Sequence, residues 1–175
     1  MHQLVLGGIR SGKTALAETL AAEHSEAVTY VATAQAGDEE MAARIMRHQC
    51  QRLTHWGLVE EPLALAGVLA SPERHDQECL LIDCMSLWVS NLLHAGDATL
   101  ERETAAFLEA IPNYPGSLII VSNEVGLGTI AMDRLTRRFC DQLGWLNQAL
   151  ALRCQRVTLS VAGLPVLLKG PSNAQ

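Results

Sequence analysis

The chain has 175 residues, of which 49% are apolar and only 4% aromatic, and its formal net charge is −6 at pH 7. That length favours one domain, with a sizeable core packed mainly from Leu, Val, Ile and Ala. The acidic balance argues against a general nucleic-acid binder, whose footprint is usually basic, but leaves room for a local basic pocket that takes phosphates.

Leu4-Val5-Leu6 is a short apolar run that reads as a first strand. Gly7-Gly8-Ile9-Arg10-Ser11-Gly12-Lys13-Thr14 follows it, which is G-x-x-x-x-G-K-[ST], and a helical pattern then runs from Lys13 to about Glu23. Strand, loop and helix in this order are the context that a P-loop requires. Its glycines let the backbone wrap close to phosphates, and the amides there and at the helix N-terminus donate to phosphate oxygens. Lys13 is a compact cation for the outer phosphates, and the Thr14 hydroxyl suits a magnesium ion. A nucleoside triphosphate is therefore the expected ligand.

Val28–Ala32 reads as the second strand, and Asp38 as the N-cap of a helix running through Met41-Ala42-Ala43-Arg44-Ile45-Met46-Arg47-His48. Arg44, His48 and Arg52 are spaced four apart, so a helix puts them on one face. Two guanidinium groups bracketing one imidazole make a phosphate pocket, and neutral imidazole is a capable nucleophile toward phosphorus. On residue pattern alone, a lone histidine such as His48 is more often a surface or packing residue than a nucleophile. The other five histidines have no comparable setting and no credible metal spacing.

Cys79–Cys84 reads as the third strand, Leu118–Val121 as the fourth and Val157–Val161 as the fifth. A short sixth over Val166–Leu168 is reached through the turn-like Gly163-Leu164-Pro165, which makes a C-terminal hairpin. Helices fit Ser86–Leu93, Leu100–Ile111 and Met132–Leu152. Strands alternating with helices predict an α/β fold, a mostly parallel sheet with helices on both faces. Residues 1–169 are expected to form this one catalytic domain, and 170–175 a flexible tail. Asp83, at the end of an apolar strand, faces the crevice where open parallel sheets bind ligands. There it anchors magnesium with Thr14, caps the helix near Ser86, or does both. Ser122-Asn123-Glu124-Val125-Gly126-Leu127-Gly128 follows the fourth strand, and either senses phosphates, positions a substrate hydroxyl, or is an ordinary turn.

The five cysteines, at 50, 79, 84, 140 and 154, form no C-x-x-C pair, which speaks for buried reduced thiols and against a disulfide framework or zinc cluster. No apolar stretch reaches membrane-spanning length and the first strand starts at once, so a soluble cytoplasmic protein without a membrane span is expected.

Several segments together resemble the bifunctional adenosylcobinamide kinase / adenosylcobinamide-phosphate guanylyltransferase family. They are the P-loop, Tyr30-Val31-Ala32-Thr33-Ala34, Arg44-Ile45 with His48 and Arg52, Trp56, Glu60 and Pro62, Leu81-Ile82-Asp83-Cys84 with Ser90-Asn91-Leu92-Leu93, Ser122–Gly128, Asn147-Gln148, and Val161–Pro165 with Lys169. The resemblance implies a RecA-like P-loop three-layer sandwich and a homo-oligomer, a trimer. It implies phosphorylation of the aminopropanol hydroxyl of the corrinoid adenosylcobinamide by ATP or GTP. GMP is then transferred from GTP to give adenosylcobinamide-GDP, with Mg2+ as the metal. The guanylylated histidine of the family falls on His48. Its nucleotide-contacting positions fall on Gly7 to Thr14 (Gly7, Gly8, Ile9, Arg10, Ser11, Gly12, Lys13, Thr14), on Ala32, Thr33 and Ala34, on Gln49, Cys50, Gln51 and Arg52, and on Glu60 and Asp83. The chain departs from the family pattern at Ala131, Cys140 and Trp145. The residues by themselves also admit a P-loop kinase of another small alcohol, or a non-catalytic P-loop switch module.

Overall fold

A computed structural model describes residues 1–34, 56–128 and 131–171. Continuous apolar runs become the strands of a seven-stranded sheet: β1 (His2–Gly7), β2 (Val28–Ala32), β3 (Gly57–Glu60), β4 (Cys79–Asp83), β5 (Ser117–Asn123), β6 (Arg156–Val161) and β7 (Leu164–Lys169). Their order across the sheet is β3-β2-β4-β5-β1-β6-β7. Only the β6–β7 pair is antiparallel. Five helices are described: α1 (Lys13–His24), α2 (Leu65–Leu69), α3 (Met85–Ala95), α4 (Asp97–Ala110) and α5 (Arg134–Arg153), with a 3-10 turn at Ile111–Asn113. This is the expected three-layer P-loop sandwich of the RecA-like kind.

Side chains alternate along each strand, so each buried strand feeds two cores. On one face Val5, Leu81, Ile119 and Val121 pack with Ala17 and Ala21 of α1. On the other, Leu4, Leu80, Ile82, Leu118 and Ile120 meet Trp88 and Leu92 of α3, Phe107 of α4, and Leu143, Leu146 and Leu150 of α5. The Trp88 and Phe107 rings meet edge to face, with centroids 5.2 Å apart, the geometry that aromatic quadrupoles favour.

Four differences separate the structure from the sequence reading, and the first three have physical causes. Strand β3 and helix α2 were not anticipated. β3 is a four-residue edge strand, mostly exposed, so it carries no buried apolar run to announce it. α2 spans five residues, too few for a helical period to show. The hairpin turns at Ala162 and Gly163, both at positive φ (52° and 80°), rather than at Gly163-Leu164-Pro165. Two left-handed central residues match the twist of the flanking strands, and Pro165 sits within β7, an edge strand where a missing N–H is tolerated. Helix α4 begins at Asp97, three residues before the expected Leu100. The helix expected after Asp38, with His48 and Arg52, lies outside the described residues.

At the sheet edge opposite the P-loop, Glu78 is buried and fully engaged. It accepts from Thr29 Oγ1 at 2.7 Å and from the Tyr114 hydroxyl at 3.5 Å, and it pairs with the Arg74 guanidinium. Removing one partner from such a buried pair leaves the other charge uncompensated, so Glu78→Ala is expected to cost about 3–5 kcal/mol of unfolding free energy by urea titration.

Burial also pushes the thiols of Cys79 and Cys154 up to about 12. A raised thiol pKa means the folded state holds its proton longer than the unfolded chain. This contribution is present in full below the ordinary value of 9.0 and is lost as pH rises toward 12. Stability measured above pH 9 should therefore fall, by up to roughly 1.4 kcal/mol per pH unit for each of these thiols. Substituting both by alanine or valine should flatten that fall.

Candidate active site

The P-loop leaves β1 at Gly7 and enters α1 at Lys13. A side chain at Gly7 would meet Ser11 Oγ at 2.3 Å and the Ser160 carbonyl at 2.8 Å, so only glycine lets the loop fold back on itself there. Gly12 sits at φ +88° with the Gly163 Cα 3.0 Å from where its Cβ would be. The Ser11 carbonyl accepts from Ser160 Oγ at 2.7 Å and from the Gly163 amide at 2.8 Å. Because the peptide is planar and trans, a Ser11 carbonyl turned toward the β6–β7 hairpin aims the Gly12 amide the opposite way, into the hollow of the loop. Lys13 Nζ arches over the loop and donates to the Gly8 carbonyl at 3.1 Å.

Strand register brings the second half of the site to the same edge. Glu60, Ala32 and Asp83 lie in one row across β3, β2 and β4. Val121 of β5 continues that row. Asp83 Oδ2 accepts from the Tyr30 hydroxyl at 2.8 Å and from Thr14 Oγ1 at 3.4 Å. The N-cap of α3 is Cys84, and no side chain caps that helix, so the capping alternative for Asp83 gives way to contact with the P-loop threonine. Among the described residues, no second hydrogen bond engages Asp83 Oδ1. Thr14 and Asp83 thus offer only hard oxygen ligands at one point, a donor set that fits magnesium, which keeps most of its waters and takes one or two protein oxygens.

Thr33 has a structural task. It is wholly buried; its hydroxyl donates to the Cys84 carbonyl at 2.8 Å and accepts from the Cys84 amide at 3.0 Å. Asn91 Nδ2 then donates to the Thr33 carbonyl at 2.8 Å and to the Pro62 carbonyl at 3.2 Å. These bonds tie the ends of β2 and β4 to α3 and hold Asp83 in place. Of the expected nucleotide-contacting residues, Gly7 to Thr14, Ala32 to Ala34, Glu60 and Asp83 gather along this edge. Gln49 to Arg52, with His48, lie outside the described residues.

Residue patterns missed Tyr30, Asn91, Ser160 and Gly163 as parts of the site's support, because each acts through a partner far away in sequence. Tyr30 carried the one usable signal, since a buried tyrosine hydroxyl needs a partner and position 30 lies on the strand beside Asp83. Cys84 is inert here: burial first, and then the Asp83 charge, push its thiol up to about 11.

Two outcomes follow from this geometry. Lys13→Ala should weaken triphosphate binding by at least about tenfold in calorimetry, because the outer phosphates lose their cation. Tyr30→Phe should shift the magnesium titration of turnover, since it frees the one well-made hydrogen bond on Asp83. An unchanged titration would mean that Asp83 does not meet the metal.

Comparison with known proteins agrees with this geometry. The profile of the family described as "Cobinamide kinase / cobinamide phosphate guanyltransferase" matches residues 3–168. The chain is 54% identical over 171 residues to the bifunctional adenosylcobalamin biosynthesis protein CobP of Pseudomonas aeruginosa, covering 97% of this chain and 98% of that one. It is 36% identical over 183 residues to the bifunctional adenosylcobalamin biosynthesis protein CobU of Escherichia coli, covering 97% of this chain and all (100%) of that one. A solved protein of Pyrococcus horikoshii OT3 shares the fold with a TM-score of 0.55 at 9% identity, over 98% of this chain and 87% of that one. With its P-loop intact and the match running almost end to end, the chain belongs to the cobinamide kinase / cobinamide phosphate guanyltransferase family.

Proposed function

We propose that this enzyme of cobalamin biosynthesis carries out both family reactions on one P-loop, with His48 as the covalent relay of the second. The observation that carries the reading is the convergence of Thr14 and Asp83, at 3.4 Å, beside the hollow of a P-loop whose Ser11 carbonyl is held by the C-terminal hairpin. In the first reaction ATP or GTP lies with its outer phosphates in that hollow, where Lys13 and the loop amides take up the charge. Thr14 and Asp83 would hold Mg2+, which would supply further neutralisation of the outer phosphates. The aminopropanol hydroxyl of adenosylcobinamide attacks the γ-phosphorus, and the nucleoside diphosphate leaves.

In the second reaction, direct attack of a phosphate on GTP would set two anions against each other. A neutral imidazole avoids this. His48 nitrogen bonds to the α-phosphorus of GTP and pyrophosphate leaves; an oxygen of adenosylcobinamide phosphate then displaces the histidine to give adenosylcobinamide-GDP. Arg44 and Arg52, four residues either side in sequence, neutralise the charge that builds on the α-phosphate. Gln49, Cys50, Gln51 and Glu60 complete the nucleotide contacts in this reading. The single sheet running from β1 to β7 supports residues 1–169 as one catalytic domain. The relatives' shared biosynthetic role supports a cytoplasmic enzyme, and the resemblance supports a homotrimer. No described helix is long and apolar enough to cross a membrane.

Incubation with α-labelled GTP tests the relay. Label should stay on the protein through a bond labile in acid and stable in alkali, and His48→Asn should abolish both the label and guanylyl transfer. Labelling should also decline as pH drops through the imidazole pKa, about 6.5 when unperturbed, because protonation removes the attacking lone pair. A His48 variant that still takes up α label would assign the nucleophile to another residue.

A further inference from the structure

Beside the nucleotide hollow lies a second recess, which the P-loop and Asp83 do not line. It is a pocket of about 360 Å³ between α3 and α5, open at the C-terminal edge of the sheet. Ser86, Ser90 and Asn123 give it polar groups, and Leu87, Leu135 and Phe139 give it apolar ones. Its position follows from register. Val121 is level with Asp83, and Asn123 lies two residues further along β5, about 6–7 Å beyond it. Asn123 is also level with Gly7, the first P-loop residue.

Asn123 is held firmly. Its Nδ2 donates to Ser86 Oγ at 3.1 Å, and its carbonyl accepts from Asn147 Nδ2 at 3.0 Å. Asn147 is itself fixed by the Ser122 hydroxyl at 2.6 Å. Yet Asn123 Oδ1 is buried and, among the described residues, has no hydrogen-bond partner. A buried acceptor left unmade is costly unless something supplies a donor. A pocket with apolar walls, a few fixed polar groups and one unmet acceptor suits a short aliphatic arm that ends in a hydroxyl.

We infer that this pocket receives the hydroxyl-bearing aminopropanol arm of the corrinoid acceptor, and that Asn123 Oδ1 accepts its O–H and turns the oxygen toward the γ-phosphate. The pocket has room for the arm, and the corrin body stays outside it. Leu135, on the pocket wall and 59% exposed, and Met132 just before it in sequence and 97% exposed, offer that body an apolar rim. In the transfer the acceptor oxygen bonds to the γ-phosphorus, the bond from that phosphorus to the bridging oxygen of the departing diphosphate breaks, and the hydroxyl proton goes to water. Asn123 is a neutral amide that orients the hydroxyl and takes no proton.

This inference rests on the kinase reading above, so wild-type phosphorylation of adenosylcobinamide by γ-labelled nucleotide is measured first; its absence would overturn both. Ser90→Phe fills the recess, and Leu135→Asp places a charge on its exposed lip where the fold tolerates it. Each should raise KM for adenosylcobinamide by about tenfold or more while KM for the nucleotide stays within about twofold. Asn123→Ala should lower kcat of the kinase step by about tenfold to a hundredfold, again without a matching rise in nucleotide KM. Natively folded Ser90→Phe and Leu135→Asp proteins with unchanged corrinoid KM would remove the pocket from acceptor binding. A rise in nucleotide KM as large as the loss of kcat in Asn123→Ala would make Asn123 a phosphate contact and overturn its assignment to the acceptor.

Discussion

The Ser11 carbonyl is the point on which the rest of the site depends. A phosphate-binding loop must aim several amides at one small volume, and a free chain would not hold them so. Here the carbonyl is drawn the other way by two donors, Ser160 Oγ and the Gly163 amide, both from the C-terminal hairpin. The left-handed conformations of Arg10 and Gly12 are held by that pull from the far end of the chain. The last two strands therefore act on the first loop, and the hairpin's turn at Ala162 and Gly163 is as much part of the P-loop as the lysine is.

Parallel pairing does the corresponding work for the carboxylate, Asp83. Because β2 and β4 run in register, Ala32 is level with Asp83, and Tyr30, two residues back on the same face, reaches the carboxylate with its hydroxyl. Thr33 then spends both hydrogen-bonding roles of its hydroxyl on the Cys84 backbone, so the strand end cannot drift. The result is a carboxylate positioned by neutral donors. The cations of the site are left for the nucleotide, in a chain whose net charge of −6 would otherwise disfavour an anion.

A division of labour follows along the C-terminal edge of the sheet. β1 leads into the P-loop and β4 ends in Asp83, while β5, which lies between them, ends in Asn123 and opens toward α3 and α5. Insertion of β5 between the P-loop strand and the Asp83 strand thus sets Asn123 one strand away from both Gly7 and Asp83.

Much of this was legible in the residues alone. A P-loop is local: eight consecutive residues between an apolar run and a helical pattern state it, because glycine geometry and the lysine's charge need no distant partner to be recognised. The buried strands announced themselves by continuous aliphatic runs, and Asp83 by standing where such a run ends. His48 with its two flanking arginines was likewise a reading of the sequence, and its place lies outside the described residues. What only the tertiary structure decided are the features made by pairing across the chain. The strand order, the thin edge strand β3, the turn at Ala162 and Gly163, the grip of Ser160 on Ser11 and of Tyr30 on Asp83, and the recess at Asn123 each depend on which strands lie side by side. Hydrophobic periodicity records that a segment is buried, but it does not record against what. A hydrogen bond spanning 149 residues, such as Ser160 to Ser11, leaves no trace in the local pattern of either partner.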